Sequence, residues 1–260
     1  MKHLKLQDIE DYEAISELSL SNAQKRELLK NEALFSFQEM TYANQLKVST
    51  IIDNLFDFNV QSIEQEMLTE AKEKFPSGNQ RSWGRSMHDD HQTYVGLSPS
   101  ILQTPYCELQ EIVNELEIEK NETVIDLGAA YGRMGIVCEQ VCETIEFIGY
   151  EYCNERVEDG NNVYEDLNLE NKSLEQQDIV SESFDLPVAD YYFVYEFGHL
   201  KEIEKLFEKL REKSNEEQFK VVVRGEGAKS IVFHKHPWLT VFDYKEVGNC
   251  LIFSTFMEDL

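Results

Sequence analysis

Two glycines four residues apart follow a short run of branched apolar residues in the stretch TVIDLGAAYGRMG, residues 123–135. Val124, Ile125 and Leu127 have the character of a buried strand that ends at a turn. Gly128 and Gly132 then bracket a loop, after which helical spacing resumes. A strand, a glycine-bearing turn and a helix N-terminus can together hold a ligand against backbone N–H groups.

Two acidic residues further along the chain complement this turn. Glu151 ends the next predicted strand about twenty residues beyond the glycine turn, where a carboxylate can accept hydrogen bonds from both hydroxyls of a ribose. Asp178 follows a third, short strand and is placed to meet the edge of an adenine ring. The glycine spacing differs from the G-x-G-x-x-G pattern of dinucleotide dehydrogenases.

Alternating strands and helices must position these residues. Apolar spacing predicts helices over 109–116, 133–143, 154–166 and 200–210. Strands are predicted over 123–127, 145–151, a short stretch before Asp178, 189–197, 219–225, and two within 239–256 that meet near Gly248. The alternation indicates an α/β fold, with a mainly parallel seven-stranded sheet covered on both faces and an antiparallel C-terminal hairpin at its edge.

Two further segments precede this domain, which we place at residues 107–260. Residues 1–78 have the three-to-four spacing of apolar residues that is typical of helices, with Ser21 or Asn22 capping the second. Residues 79–106, here called the covering segment, are rich in Gly, Pro, Ser, His and aromatic residues, and Arg81 and Arg85 balance Asp89 and Asp90. We expect an ordered loop over the bound cofactor and substrate, the alternative being a plain interdomain connector.

Composition limits the class of partner. The chain has 24 Lys and Arg residues against 50 Asp and Glu residues, a formal net charge of -26. This acidity argues against binding to a nucleic-acid backbone, because such binding depends on cationic side chains. It is compatible with a small-molecule site, with a basic protein partner, or simply with an acidic cytosolic protein.

The cysteines and the N-terminus bear on the compartment. Five cysteines without a CxxC pair fit a reducing compartment, and we expect packed thiols rather than a zinc site at Cys138, Cys142 and Cys153. The N-terminus lacks the apolar core of a signal peptide, and no apolar run reaches membrane-spanning length. A cytoplasmic protein without a metal site or a membrane partner is therefore expected, and its oligomeric state stays open.

From Cys107 to its C-terminus the chain resembles the class I S-adenosylmethionine-dependent methyltransferases. VIDLGAAYG looks like the first motif of that family, FIGYEY like the second, QQDI like the third and DYYFVYEFG like the fourth. The resemblance implies a Rossmann-like fold, S-adenosyl-L-methionine as cofactor and no metal. It places the cofactor on Asp126, Gly128, Ala129, Ala130, Gly132, Glu151, Tyr152, Asp178, Ile179 and Glu196.

The stretch SPSILQTPYCELQEI extends the resemblance. Non-SET histone lysine methyltransferases also place a Thr- or Tyr-bearing loop and a proline before the helix that precedes the first strand, and HQTYVGLSPS is similar in character. On this resemblance Tyr94, Gln103 and Thr104 approach the cofactor from above.

The acceptor side departs from the family's nucleic-acid branch. Nucleic-acid amino methyltransferases carry Asp or Asn, two prolines and an aromatic residue after the fourth strand, whereas this chain has Tyr-Glu-Phe-Gly at 195–198. We therefore predict a methyltransferase that acts on a protein or small-molecule amine rather than on a nucleic acid. The catalytic candidates are Tyr94, Tyr195 and Glu196.

Several roles stay open at this stage. Glu196 either orients or deprotonates an amine, or else caps the next helix. His88 and His91 form either a metal pair or part of a polar loop, and Trp83 packs over either the site or the domain junction. The alternative function is a catalytically inactive cofactor-binding or scaffolding module that recruits a basic partner.

Overall fold

A seven-stranded sheet forms the centre of the computed structural model, which describes residues 6, 8–91 and 94–257, without the side chains of Arg81 and Ser100. The strand order is β3-β2-β1-β4-β5-β7-β6. The strands are β1 (Thr123–Leu127), β2 (Glu146–Glu151), β3 (Lys172–Gln176), β4 (Tyr191–Val194), β5 (Lys220–Arg224), β6 (Tyr244–Val247) and β7 (Cys250–Ser254).

The direction of the strands confirms the predicted fold class. Strands β1 to β5 pair in parallel, whereas β7 is antiparallel to both β5 and β6. The hairpin turn contains Gly248 at φ +53°, a conformation that favours glycine. Insertion of β7 between β5 and β6 differs from the 3-2-1-4-5-6 order typical of dinucleotide-binding folds.

Helices cover both faces of the sheet and fill the N-terminal region. Ser21 caps α2, because its side chain accepts a hydrogen bond from the Gln24 N–H group. The helices are α1 (Ile9–Ser16), α2 (Asn22–Leu29), α3 (Tyr42–Leu55), α4 (Val60–Lys74), α5 (Gln80–Met87), α6 (Pro99–Leu102), α7 (Tyr106–Leu116), α8 (Arg133–Val141), α9 (Asn154–Asp166), α10 (Leu200–Lys213) and α11 (Glu226–Lys235).

Two apolar cores lie on opposite faces of the sheet, because successive strand residues point in opposite directions. On one face Val124 and Phe147 belong to a core shared with α7, α8 and α9. The same core includes Leu28 and Phe35 of the N-terminal region. On the other face Ile125 packs with residues of α10 and α11. The N-terminal helices therefore pack onto the sheet layer and share its core.

The structure differs from the predicted elements in three places. The covering segment contains α5 and α6 where a loop was expected, and Gln92 and Thr93 lie outside the described residues. Helix α5 starts where the Asn79 side chain accepts a hydrogen bond from Ser82 N–H, and α6 has a proline in its first turn. Strand β4 is shorter than predicted, and helix α11 was not predicted.

Candidate functional site

A cleft opens where the carboxyl ends of neighbouring parallel strands meet, which is the ligand position in open α/β sheets. The cleft, here called the main cleft, receives residues from the ends of β1, β2, β3 and β4, from the first turns of α9 and α10, and from the covering segment. They are His91, Tyr94, Leu97, Ile101, Leu102, Gly128, Ala130, Tyr150, Glu151, Tyr152, Arg156, Gln177, Asp178, Ile179, Val180, Tyr195, Glu196, Phe197, Gly198 and Glu202.

A second, smaller cavity lies on the other side of the loop after β1. This inner cavity shares Leu102, Gly128, Ala130 and Tyr195 with the main cleft. Its remaining lining comes from the residues between α6 and α7, from the loop after β1, from α7 and α8, and from four strands of the sheet: Gln103, Thr104, Leu109, Ile112, Asp126, Ala129, Arg133, Met134, Phe193, Val194, Val222, Arg224 and Cys250. The two cavities together thus surround the tip of the loop.

The loop over residues 128–132 is here called the first loop. Four of its N–H groups donate hydrogen bonds within the protein. Gly128 and Ala129 both donate to the Tyr150 carbonyl at 2.9 Å, and Gly132 donates to Ala129 at 2.9 Å. The Ala130 N–H group donates to Oε2 of Glu151 at 2.9 Å. These four N–H groups therefore already have partners within the protein, and the expectation that this turn holds a ligand through its N–H groups stays a prediction.

Protein side chains lie close to the Cβ positions of the two glycines of the first loop. Gly128 has φ +103°, and a Cβ atom there would lie 2.6 Å from the Cβ atom of Phe197. Gly132 has φ +81°, and its Cβ position is taken by the Tyr164 hydroxyl. Of the predicted cofactor residues, Gly132 lines neither cavity. Gly128 does line both, but substituting it would strain the backbone and push Phe197 as well as alter the site.

Glu151 lies at the end of β2, in the main cleft, as predicted. Its side chain is buried, and Oε1 accepts a hydrogen bond from Cys153 N–H at 3.0 Å. The guanidinium of Arg156 lies 3.5 Å from the same oxygen. With the bond from Ala130, the carboxylate is held from three directions.

Asp178 and Ile179 line the main cleft beyond β3, also as predicted. Oδ1 of Asp178 accepts from Val180 N–H at 3.1 Å, while Oδ2 lies 3.4 Å from Nε2 of His91. The other ring nitrogen of His91 lies 3.2 Å from Oε1 of Glu202, near the start of α10. The imidazole of His91 also contacts the ring of Tyr152 at a centroid distance of 5.1 Å.

The inner cavity has an acidic group and an amide donor. Asp126 is on β1, and burial, followed by the charge of Glu151, raises its pKa to about 7. Gln103 is buried, and its Nε2 atom has no hydrogen-bond partner among the described residues. Because a buried donor without an acceptor is costly, this amide nitrogen indicates a site for an acceptor group from outside the protein.

Two arginines beside this cavity are each paired with a carboxylate. Nε of Arg133 donates to Oδ1 of Asp53 at 2.9 Å, and its Nη2 atom donates to Oδ2 of the same carboxylate. The Nη1 atom of Arg133 donates to the Thr104 carbonyl at 2.9 Å. Arg224 forms a two-point pair with Glu108 at 2.7 and 3.0 Å. Thr104 thus lines the cavity while its backbone holds Arg133.

Tyr195 and Glu196 follow β4 at the junction of the cavities. The Tyr195 ring packs 4.8 Å from the guanidinium carbon of Arg224, and burial raises the pKa of its hydroxyl. The Glu196 carboxylate accepts hydrogen bonds from Gly227 N–H and, at 3.2 Å, from Ala228 N–H. Of the roles considered for Glu196, helix capping is the one the structure shows, although the helix is α11 rather than the next one, α10.

The covering segment contributes Tyr94, Leu97 and Ile101 to the main cleft. Trp83 packs away from the cleft, since its ring joins a small core with Met67 and its Nε1 donates to the Phe75 carbonyl at 3.0 Å. This placement fits the second of its two predicted alternatives, the junction between segments. His88 lies against Tyr152 and Cys153 at the rim.

Within residues 6, 8–91 and 94–257, no group of three or more His, Cys, Asp and Glu side chains could hold a metal ion. Cys138 is buried, and burial raises its pKa to about 12, which describes an unreactive packed thiol.

No helix in the described part of the chain combines the length and apolar character needed to cross a membrane.

Three charged or imidazole side chains of the main cleft were missed as site residues by the sequence analysis: His91, Arg156 and Glu202. His91 was considered only as half of a metal pair or as part of a polar loop. Arg156 and Glu202 lie on predicted helices, where a charged residue is normally on the solvated face. No local signal distinguishes them, because their partners are remote in sequence.

The chain matches no model of a known protein family, and no curated protein matches its sequence. Solved structures do resemble it. A SAM-dependent methyltransferase from Aquifex aeolicus is 16% identical, with a TM-score of 0.44 over 61% of this chain and 97% of that one. A SAM-dependent O-methyltransferase from Thermotoga maritima is 17% identical, with a TM-score of 0.44 over 58% of this chain and 65% of that one.

Precorrin-6y C5,15-methyltransferase from Geobacter metallireducens is 14% identical to this chain. The match covers 59% of this chain and 87% of the other, with a TM-score of 0.44. At these identities and TM-scores the likenesses say nothing about the chemistry or the acceptor of this chain.

Proposed function

We propose that the protein is an S-adenosyl-L-methionine-dependent methyltransferase. The observation that carries the proposal is the pair of cavities around Gly128 and Ala130. On one side lie Glu151 and Asp178, whose carboxylates can accept hydrogen bonds from ribose hydroxyls and an adenine amine. On the other side lie Asp126 and the unpartnered amide nitrogen of Gln103. A nucleoside joined to an amino acid would match both sides.

The residues fit both ends of this cofactor. Glu151, Tyr152, Asp178 and Ile179 would hold the adenosine, and Gln103 Nε2 would donate to the carboxylate of the methionine portion. Asp126 would accept from its ammonium group, and Thr104 and Ala129 would complete the wall. When bound, the cofactor supplies a methyl group on a sulfonium centre, a cation that acidic surroundings tolerate.

A dinucleotide cofactor fits less well. A pyrophosphate needs N–H groups or cations at the first loop. The N–H groups of Gly128, Ala129, Ala130 and Gly132 are already donated within the protein. Arg133 and Arg224 already face Asp53 and Glu108. The site therefore favours a ligand without phosphate.

The acceptor would enter at the junction beside Tyr195, Glu196 and Tyr94. The N–H groups of α11 hold the Glu196 carboxylate in place, so we expect it to orient a cationic or polar acceptor rather than to remove a proton. A protein or small-molecule amine suits this acidic junction. Cytoplasmic location and the likeness to the histone-lysine branch remain predictions.

Calorimetric titration with S-adenosylmethionine and S-adenosylhomocysteine tests the proposal directly. We expect saturable binding of both, and transfer of a labelled methyl group to a fraction of cell lysate. No heat with either ligand at high micromolar concentration would overturn the proposal. Binding without transfer to any fraction would support the inactive module instead.

A further inference from the structure

A buried cluster of charged side chains lies directly behind the main cleft. Glu64 of α4 and Arg156 of α9 are each 3% exposed, and Nε of Arg156 donates to Oε1 of Glu64 at 2.9 Å. The hydroxyl of Tyr131, in the first loop, donates to the same oxygen at 3.0 Å. Glu64 thus joins the N-terminal region to α9 and to the first loop.

Arg156 extends the cluster to the cofactor residue of β2. Its Nη1 atom lies 3.5 Å from Oε1 of Glu151, and its Nη2 atom donates to the Tyr94 carbonyl. A single guanidinium therefore contacts Glu64, Glu151 and the covering segment. Because its donors form a rigid planar fork, the position of Glu64 constrains where the other two contacts lie.

Glu64 also holds the covering segment directly. Its second oxygen, Oε2, accepts a hydrogen bond from Gly96 N–H at 3.2 Å. Gly96 has φ +68° and lies between Tyr94 and Leu97, both of which line the main cleft. One carboxylate therefore fixes both the wall of the cleft that carries Glu151 and the segment that covers it.

We propose, on the basis of the methyltransferase function above, that Glu64 is a positioning residue for the cofactor. Through Arg156 it orients the Glu151 carboxylate toward the ribose, and through Gly96 and Tyr94 it keeps the covering segment over the cleft. The N-terminal helical region thereby takes part in cofactor binding without touching the cofactor. Removing the charge of Glu64 leaves Arg156 with one carboxylate and places an amide donor against other donors.

The test compares Glu64→Gln with Asp159→Asn. Asp159 of α9 is likewise buried and accepts two hydrogen bonds from Asn59, at 2.9 and 2.8 Å, but Asn59, unlike the Glu64 partner Arg156, does not line the main cleft. Calorimetry with S-adenosylhomocysteine should show a loss of affinity of about tenfold for Glu64→Gln. For Asp159→Asn we expect a change below about twofold, whatever either variant loses in thermal stability.

A ligand without the ribose 2′-hydroxyl separates positioning from general damage. If Glu64 acts through Glu151 on the ribose, the loss of affinity caused by Glu64→Gln should be smaller for 2′-deoxy S-adenosylhomocysteine than for the full ligand, while the part that depends on the 3′-hydroxyl and on the covering segment remains. An equal loss with both ligands would overturn the positioning role. So would an affinity for the full ligand that Glu64→Gln leaves unchanged.

Tyr131→Phe provides a second variant if Glu64→Gln does not fold. It removes one donor from Oε1 of Glu64, and we expect affinity for the full ligand to fall about threefold. Unchanged affinity in that variant would overturn the inference. A wild-type protein that binds neither ligand would instead overturn the proposed function.

Discussion

At the residue scale, the Glu151 carboxylate is held by the protein and yet faces the cleft. It accepts from Ala130 and Cys153 and contacts Arg156. A carboxylate has about four lone-pair sites, so capacity remains for a ligand hydroxyl. The fixed orientation means that ribose binding would require little rearrangement of this side chain.

Glu151→Ala should weaken binding of S-adenosylhomocysteine by about 1.5–3 kcal/mol, the scale of a charge-assisted hydrogen bond. The variant should also lose stability, because Ala130 N–H and Cys153 N–H lose their acceptor. Glu175→Ala, an exposed change on neighbouring β3, serves as the control for calorimetry. A loss of only a few tenths of a kcal/mol would mean that the ribose binds elsewhere.

The raised pKa of Asp126 predicts that the free energy of unfolding depends on pH. Burial raises its pKa from 3.8 to about 7, so the folded state favours the neutral carboxyl group. The stability that this preference contributes is fully present below the pKa of Asp126 in the unfolded chain, 3.8, and is lost as the pH rises toward 7. Asp126→Asn should therefore gain stability relative to the wild type between pH 4 and pH 7, with no further gain above.

Denaturant unfolding of both proteins at pH 4, 5.5, 7 and 8 measures this difference. Ser173→Ala, on β3 and outside both cavities, serves as the control. A difference between wild type and Asp126→Asn that stays constant across the range would show that the carboxyl group titrates as it does in the unfolded chain.

The sequence identified the residues that lie at strand ends and missed those that act through remote partners. Glu151 and Asp178 were found because the positions where parallel strands end can be counted along the chain. Glu64 and Arg156 are 92 positions apart, and nothing in either local pattern indicates that they meet. Gly128 was found but for a different reason, since Phe197 rather than a ligand occupies its Cβ direction.

At the element scale, the covering segment is the least regular part of the site. We expect cofactor binding to change its amide exchange and proteolysis more than those of any other element. Helix α5 precedes the residues of this segment that line the main cleft, and α6 itself contributes Ile101 and Leu102. His91 connects the segment to Asp178 and Glu202, and Arg156 and Glu64 hold it from behind. A cofactor in the cleft would add contacts to the same side chains.

Cofactor should slow amide exchange and proteolysis within residues 81–106, because closure over the ligand removes open states of the segment. Tyr94→Ala should reduce activity more than it reduces fold stability. Hydrogen exchange by mass spectrometry measures the first effect, with peptides from β6, which lines neither cavity, as the internal control. Identical exchange with and without saturating cofactor would make the segment a connector.

Helix α11 is an element that the sequence analysis did not predict. Ala228, Ile231 and Val232 have helical spacing and are buried. The two glycines near its start, Gly225 and Gly227, read locally as a turn. The structure shows that their small size leaves room for the Glu196 carboxylate, which no local pattern predicts.

At the scale of the whole molecule, the N-terminal helices pack directly onto the sheet. They share an apolar core, and Asp53 and Glu64 supply the carboxylates for Arg133 and Arg156. Breaking a buried pair by removing one partner costs about 3–5 kcal/mol. A typical protein is stable by only about 5–15 kcal/mol.

A chain beginning at residue 79 should therefore fail to fold, whereas a chain beginning at residue 8 should unfold in one transition like the full chain. Near-ultraviolet circular dichroism and calorimetry distinguish the two. Cooperative unfolding of the shorter chain would show that residues 107–260 form an independent domain.

The saturated hydrogen bonds of the first loop have a kinetic consequence. Because four of its five N–H groups already have partners within the protein, we expect the loop to lose little conformational entropy when a ligand binds. That loss falls on the covering segment instead. The residence time of the cofactor should then follow the opening rate of this segment, so that variants at its anchors change the dissociation rate far more than the association rate.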